Sequence, residues 1–312
     1  MKPAIEKREE MTTELNNDTS SNNQNNQIKV NIDSLVPRDM AHRAEEIGIA
    51  KVNMDFFSMS GLSVLAGSFI ALGAIFATVA LTGTTSIPWG WGRTIAGIVF
   101  SLGLILVVVG GAELFTGNNL VVMAWSDRRF STLKLLRSWV IVYIGNFFGA
   151  ISTAMIVFLS KQYMFNAGNV GVTALNIGLS KVNFDFIQAM MLGMLCNALV
   201  CLAVWLCISA RTTLEKISAI IFPIAAFVAS GFEHCIANMY FIPMALFIKE
   251  LAPSSFWQTT GLNPANYNDL SWHAFFVHNL IPVTIGNIIG GVVLVGIVYW
   301  LVYLRKNKVD TQ

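Results

Sequence analysis

Glu233, His234 and Asn238 stand inside a run that is otherwise apolar from Ile217 to Ile248. At about 30 residues the run exceeds the roughly 20 that a straight membrane-crossing helix needs. An ionisable group at bilayer depth costs a few kcal/mol, so one retained there marks a functional site by default. Imidazole exchanges a proton near neutral pH. His234 can therefore hand a proton, or a strong hydrogen bond, to a small anion. The plainer reading is a core histidine bonded to Glu233 or Asn238. Gly231 can leave helical geometry where the polar residues begin. The stretch thus reads as a helix broken near the midplane, with a polar elbow on a cavity, because irregular backbone survives there only where protein or water surrounds it.

A second constellation matches the first. Gly111, Glu113 and Asn118 recur at one constant offset as Gly231, Glu233 and Asn238. Ile144-Gly145-Asn146-Phe147-Phe148-Gly149 pairs with Ile285-Gly286-Asn287-Ile288-Ile289-Gly290, and both carry the GxxxG spacing that lets helices approach closely. Each half holds three apolar segments, an odd number, so the second half is inserted inverted. Paired broken helices in inverted repeats put a substrate site at their interface. An unpaired carboxylate would repel an anion, so Glu113 and Glu233 are expected to bind backbone or neighbouring side chains at the elbows.

The elements that must position these groups are six apolar segments: Phe57–Leu81, Thr94 to near Trp125, Leu133–Leu159, Phe186–Ile208, Ile217–Ile248 and Leu280–Leu304. The second and fifth are over-long and interrupted by polar residues. The composition fits an all-α polytopic membrane protein, at 54% hydrophobic and only 12% charged. A net charge of +2 without a basic stripe excludes a nucleic-acid partner. Cys196, Cys201, Cys207 and Cys235 lie in apolar segments without metal or redox spacing and read as inert thiols. Arg and Lys are concentrated after segments two, four and six, which puts both termini in the cytoplasm of an inner membrane.

Residues 1–33 read as a disordered polar tail and 34–56 as an amphipathic helix beginning near Pro37. Residues 57–304 form the transmembrane domain, and 305–312 form a short cytoplasmic tail. Gly61, Gly67 and Gly73 offer a small-residue face for oligomerisation. Asn263-Pro264-Ala265 mimics an aquaporin elbow but sits in a polar stretch and reads as a turn.

Glu113-Leu114-Phe115-Thr116-Gly117-Asn118 and Gly231-Phe232-Glu233-His234-Cys235-Ile236-Ala237-Asn238 resemble the two signature loops of the formate–nitrite transporter family. The resemblance covers about Leu35 to Leu304. It implies a pentamer of aquaporin-like six-helix protomers, each with its own pore for small monovalent anions. By that resemblance His234 is the signature histidine, Lys181 the pore lysine and Asn197 the asparagine of the fourth segment. Phe100, Leu104, Leu114, Phe115, Val200 and Phe227 then form the apolar constrictions. Thr116 and Asn118 then correspond to a mobile loop that can gate the cytoplasmic side, with Gly110-Gly111 and Gly117 bracketing its Leu114, Phe115 and Thr116. Without the resemblance, Lys181 is a lysine at the membrane edge, at the start of a span.

The function so implied is a channel or facilitated transporter in the lipid bilayer, most like one for formate, that needs no cofactor or metal. Nitrite or hydrosulfide is the alternative substrate, and a neutral-solute channel of aquaporin type the alternative class. An intramembrane enzyme is disfavoured, because no metal-ligand cluster and no Ser/His/Asp set accompanies His234.

Overall fold

A computed structural model describes residues 33–305. The tails read at 1–33 and 305–312 lie outside these residues, apart from Asp33 and Arg305. The described chain is helical, and no strand occurs among these residues.

Helix α1, Pro37–Val52, starts on a proline at its first turn, with Asp39 near its N-terminus and Lys51 in its last turn, matching the helix dipole at both ends. Helix α2, Phe56–Leu81, is capped by Asp55, whose carboxylate accepts from the amides of Phe57 and Ser58 at 3.0 Å each. Ser58, through its hydroxyl and then its amide, holds that carboxyl below its ordinary pKa. Helix α3 spans Trp89–Gly110, α4 Val122–Ser126 and α5 Thr132–Leu159.

The second half repeats the pattern. Helix α6, Asn169–Val182, precedes α7, Phe186–Ser209, which Asp185 caps through the amide of Gln188 at 2.8 Å. Helix α8, Thr213–Ala229, opens on a capping box between Thr212 and Glu215. Then come α9, Cys235–Leu251, and α10, Ser254–Thr260, set at 104° to it. The last helix, α11, runs Ala274–Leu304 and contains π-type turns at both ends and around Gly290–Ile297. Helices α2, α3, α5, α7 and α11 are each long and apolar enough to cross a membrane. Across their 104° bend, α9 and α10 together meet the same test of length and apolarity.

Both breaks are made in the same way. Gly111 and Gly231 take φ +79° and +75°, a region L side chains avoid, and end α3 and α8 there. Beyond them the Glu113 amide reaches Leu62 O at 3.2 Å and the Glu233 amide reaches Leu192 O at 3.3 Å. The chain then resumes differently on the two sides. His234 caps α9, its Nδ1 accepting from the Ala237 amide at 3.1 Å. The matching position in the first elbow is Leu114, which has no acceptor, and the chain resumes as a 3-10 turn over Gly117–Val121.

The GxxxG expectation holds within the chain. A Cβ on Gly145 or Gly149 would run into Ser63 or Val64, and one on Gly286 or Gly290 into the backbone of Met190 or Met194. The oligomer face read on α2 needs correction. Gly67 packs against the Asn146 carbonyl and Gly73 against that of Phe100, so close contacts inside the protomer consume both. Gly61 alone of the three has open space beside it. Asn263-Pro264-Ala265 is a turn, its asparagine side chain accepting from the Ala265 amide at 2.9 Å.

Lys181 also needs correction. It lies in the last turn of α6, a helix of its own, rather than at the start of a span.

Candidate functional site

Each elbow is held by one asparagine from a neighbouring helix. Asn146 on α5 accepts from the Phe115 amide at 2.9 Å and donates to Ser63 O at 2.7 Å and Glu113 O at 2.9 Å. Asn287 on α11 does the same for the second elbow: it accepts from the Cys235 amide at 2.9 Å and donates to Gly193 O at 2.7 Å and Glu233 O at 2.9 Å. Both asparagines are fully buried, so these bonds replace water that cannot reach the bent backbone.

The elbow carboxylates are paired in the same symmetric manner. Glu113 accepts from Lys51 Nζ at 2.6 Å and from Asn118 Nδ2 at 2.7 Å. Glu233 accepts from Lys181 Nζ at 2.8 Å, Asn238 Nδ2 at 2.8 Å and Asn279 Nδ2 at 3.2 Å. Each elbow thus pairs a buried carboxylate with a partly buried lysine delivered by the short helix before a span, α1 or α6.

Between the elbows Thr116 Oγ1 stands 2.9 Å from His234 Nε2. The Ala237 amide occupies Nδ1 as a donor. A neutral ring therefore carries its proton on Nε2 and donates it toward Thr116. Two cavities approach this junction. Lys181, Arg93, Glu233, His234, Phe100 and Phe227 line the first. Lys51, Lys216, Glu113, Leu104, Leu114 and Asn118 are among the residues that line the second, and Gly117 also borders it. The Phe100 and Phe227 rings meet edge to face at 5.7 Å, and Phe227 lies over the His234 ring at 6.0 Å.

Asn197, Val200 and Phe115 line neither cavity. Asn197 is fully buried and donates to Asn119 Oδ1 at 3.0 Å and Asn287 O at 2.7 Å. Phe115 packs on Tyr143 and Trp139 at 4.9 and 6.1 Å, beside an apolar groove between α5 and α11.

Sequence reasoning missed Lys51, Asn146, Asn279 and Asn287. Two signals were present. Lys51-Val52-Asn53-Met54-Asp55-Phe56 repeats as Lys181-Val182-Asn183-Phe184-Asp185-Phe186, and the Gly-Asn step of each GxxxG segment holds the clamping residue.

These features define a class: a helical, multi-pass membrane protein built as an inverted repeat, with two stapled elbows facing each other between two cavities. The chain belongs to the formate/nitrite transporter family, which it matches over residues 38–301. It is similar to the formate channel FocA of Escherichia coli (strain K12), with 45% identity over 275 residues that make up 88% of this chain and 96% of that protein. It is also similar to FocA of Haemophilus influenzae, with 42% identity over 266 residues, 85% of this chain and 93% of that protein. A solved structure described as a pentameric formate channel with formate bound superposes with TM-score 0.74 at 45% identity, covering 80% of this chain and 98% of that one.

Proposed function

We propose that this protein is a channel or facilitated transporter for small monovalent anions, formate first among them, assembled as a pentamer with one pathway in each protomer. The similarity to formate channels over most of both chains supports the substrate and the assembly. The single observation that carries the mechanism is the Thr116–His234 hydrogen bond, set between two cavities that each hold a lysine. Both termini lie in the cytoplasm, so the Lys51 cavity opens inward and the Lys181 cavity outward.

An anion in the Lys181 cavity takes the place of Thr116 as acceptor from His234 Nε2–H. Net proton transfer requires a ring protonated at both nitrogens. The Nε2 proton then passes to a carboxylate oxygen, formic acid moves on, and the ring is left neutral. That second proton sits on Nδ1, where the Ala237 amide now donates, so the cap must open when the ring charges. Neutralisation matters because Phe100 and Phe227 on one side, and Leu104 and Leu114 on the other, cannot solvate a bare anion. The Leu114–Thr116 loop acts as the gate and is closed while Thr116 holds His234.

Formate flux into proteoliposomes, with and without an inward proton gradient, tests this reading, with nitrite and hydrosulfide as parallel arms. Formate uptake that rises with the gradient supports it. Absence of flux for all three anions would overturn it.

A further inference from the structure

The elbow lysines do not by themselves make the two cavities electropositive. Lys181 lies 2.8 Å from Glu233 and Lys51 lies 2.6 Å from Glu113, and both carboxylates are almost wholly buried. An approaching anion meets each pair as a dipole, with its attraction largely cancelled. Each cavity holds one further cation, Arg93 in the first and Lys216 in the second.

Neither has a carboxylate partner within 4 Å among the described residues. Arg93 Nη2 donates to Val228 O at 2.8 Å, and Nε makes a long bond of 3.5 Å to Ala229 O. These carbonyls end α8, so the guanidinium covers a negative helix terminus that would otherwise repel an anion. No carboxylate forms an ion pair with it, and Glu233, the carboxylate whose charge reaches it, is already paired with Lys181. The Lys216 side chain is half-buried, and its ammonium has no hydrogen bond or ion pair among the described residues.

We propose that Arg93 and Lys216, rather than the elbow lysines, supply the net positive charge that captures small anions at the two mouths of the pathway, Arg93 on the Lys181 side and Lys216 on the Lys51 side. Lys51 and Lys181 neutralise the elbow carboxylates, and the second cation sets each mouth's attraction. This rests on the anion-channel reading above.

The test is initial formate flux in vesicles of one orientation, measured in both directions at low and high ionic strength. Arg93→Gln should raise the apparent KM for entry from the Lys181 side roughly three- to tenfold at low salt. The saturated rate should be kept, and the difference should shrink as salt shortens the Debye length. Lys216→Gln should do the same from the Lys51 side only. Arg93→Lys keeps the charge with fewer donors to the α8 carbonyls and should stay near the wild-type KM. Wild-type KM and salt dependence in both glutamine variants would overturn the inference while leaving the channel reading intact. Equal impairment of Arg93→Gln and Arg93→Lys would also overturn it, since that outcome assigns Arg93 to helix capping alone. A wild-type protein that carries no formate would overturn the channel reading and this inference together.

Discussion

Thr116 Oγ1 and His234 Nε2 are hydrogen-bonded at 2.9 Å across the two halves of the repeat, and both residues are buried. Because the Ala237 amide donates to Nδ1, the neutral ring's one N–H proton lies on Nε2, and this contact decides where it points. Thr116→Val keeps the shape but leaves Nε2–H without its acceptor, a loss of about 1–3 kcal/mol for a buried group. The variant should assemble, melt somewhat earlier and carry formate at an altered rate. Thr116→Ser should stay near wild type in both respects. Thermal melting in detergent and vesicle flux, taken together, check this.

Asn146 and Asn287 each hold three buried backbone groups. Replacing either by Ala leaves those groups unpaired, and at about 1 kcal/mol or more for each lost bond the loss should reach roughly 3 kcal/mol. We expect Asn146→Ala and Asn287→Ala to lower the melting temperature clearly. Equal stability to wild type in both would show that the elbows do not depend on their clamps.

Removing one member of the Lys181–Glu233 pair strands a buried charge. Lys181→Met should cost about 3–5 kcal/mol. The double variant Lys181→Met with Glu233→Gln should recover much of that stability, because neither charge then remains. Lys181→Arg should keep a good part of transport. A single variant as stable as wild type would contradict the pairing.

The breaks were legible in the chain because Glu, His and Asn cannot sit in an apolar helix without a reason, and because the Gly, Glu and Asn of the second elbow recur at the same spacing in the first. The turn at Asn263 was legible from its polar surroundings. Other features depended on packing that no periodicity encodes. Lys51 fell inside the amphipathic helix read over 34–56 with nothing to single it out, and only the fold brings it to Glu113 at the first elbow. Gly67 and Gly73 looked available to a neighbouring subunit until the position of α5 and α3 beside α2 was known. The inward direction of Asn197, toward Asn119 rather than a cavity, follows from how α7 is rotated against α11.

Gly117 needs little room: a Cβ there would meet only Val204 at 3.5 Å, an ordinary contact. Gly117→Ala should fall within about 0.5 kcal/mol of wild type. Proline at the same position suits the first residue of the turn but pushes the preceding residue out of the α region. Thr116 now sits at φ −65°, ψ −41°, so Gly117→Pro should displace it from His234. Transport should fall while size-exclusion chromatography still reports the assembled protein. Wild-type flux in Gly117→Pro would leave the gating loop without support.

The account turns on His234 as the proton donor of the pathway, and His234→Asn tests that most directly. Asparagine can still cap α9 with its side-chain oxygen but cannot exchange a proton near neutral pH. Formate uptake into proteoliposomes should be measured for wild type and His234→Asn across a range of external pH, with assembly verified. The account predicts a folded, assembled variant whose uptake no longer rises on acidification. A variant that keeps the wild-type pH profile would contradict it.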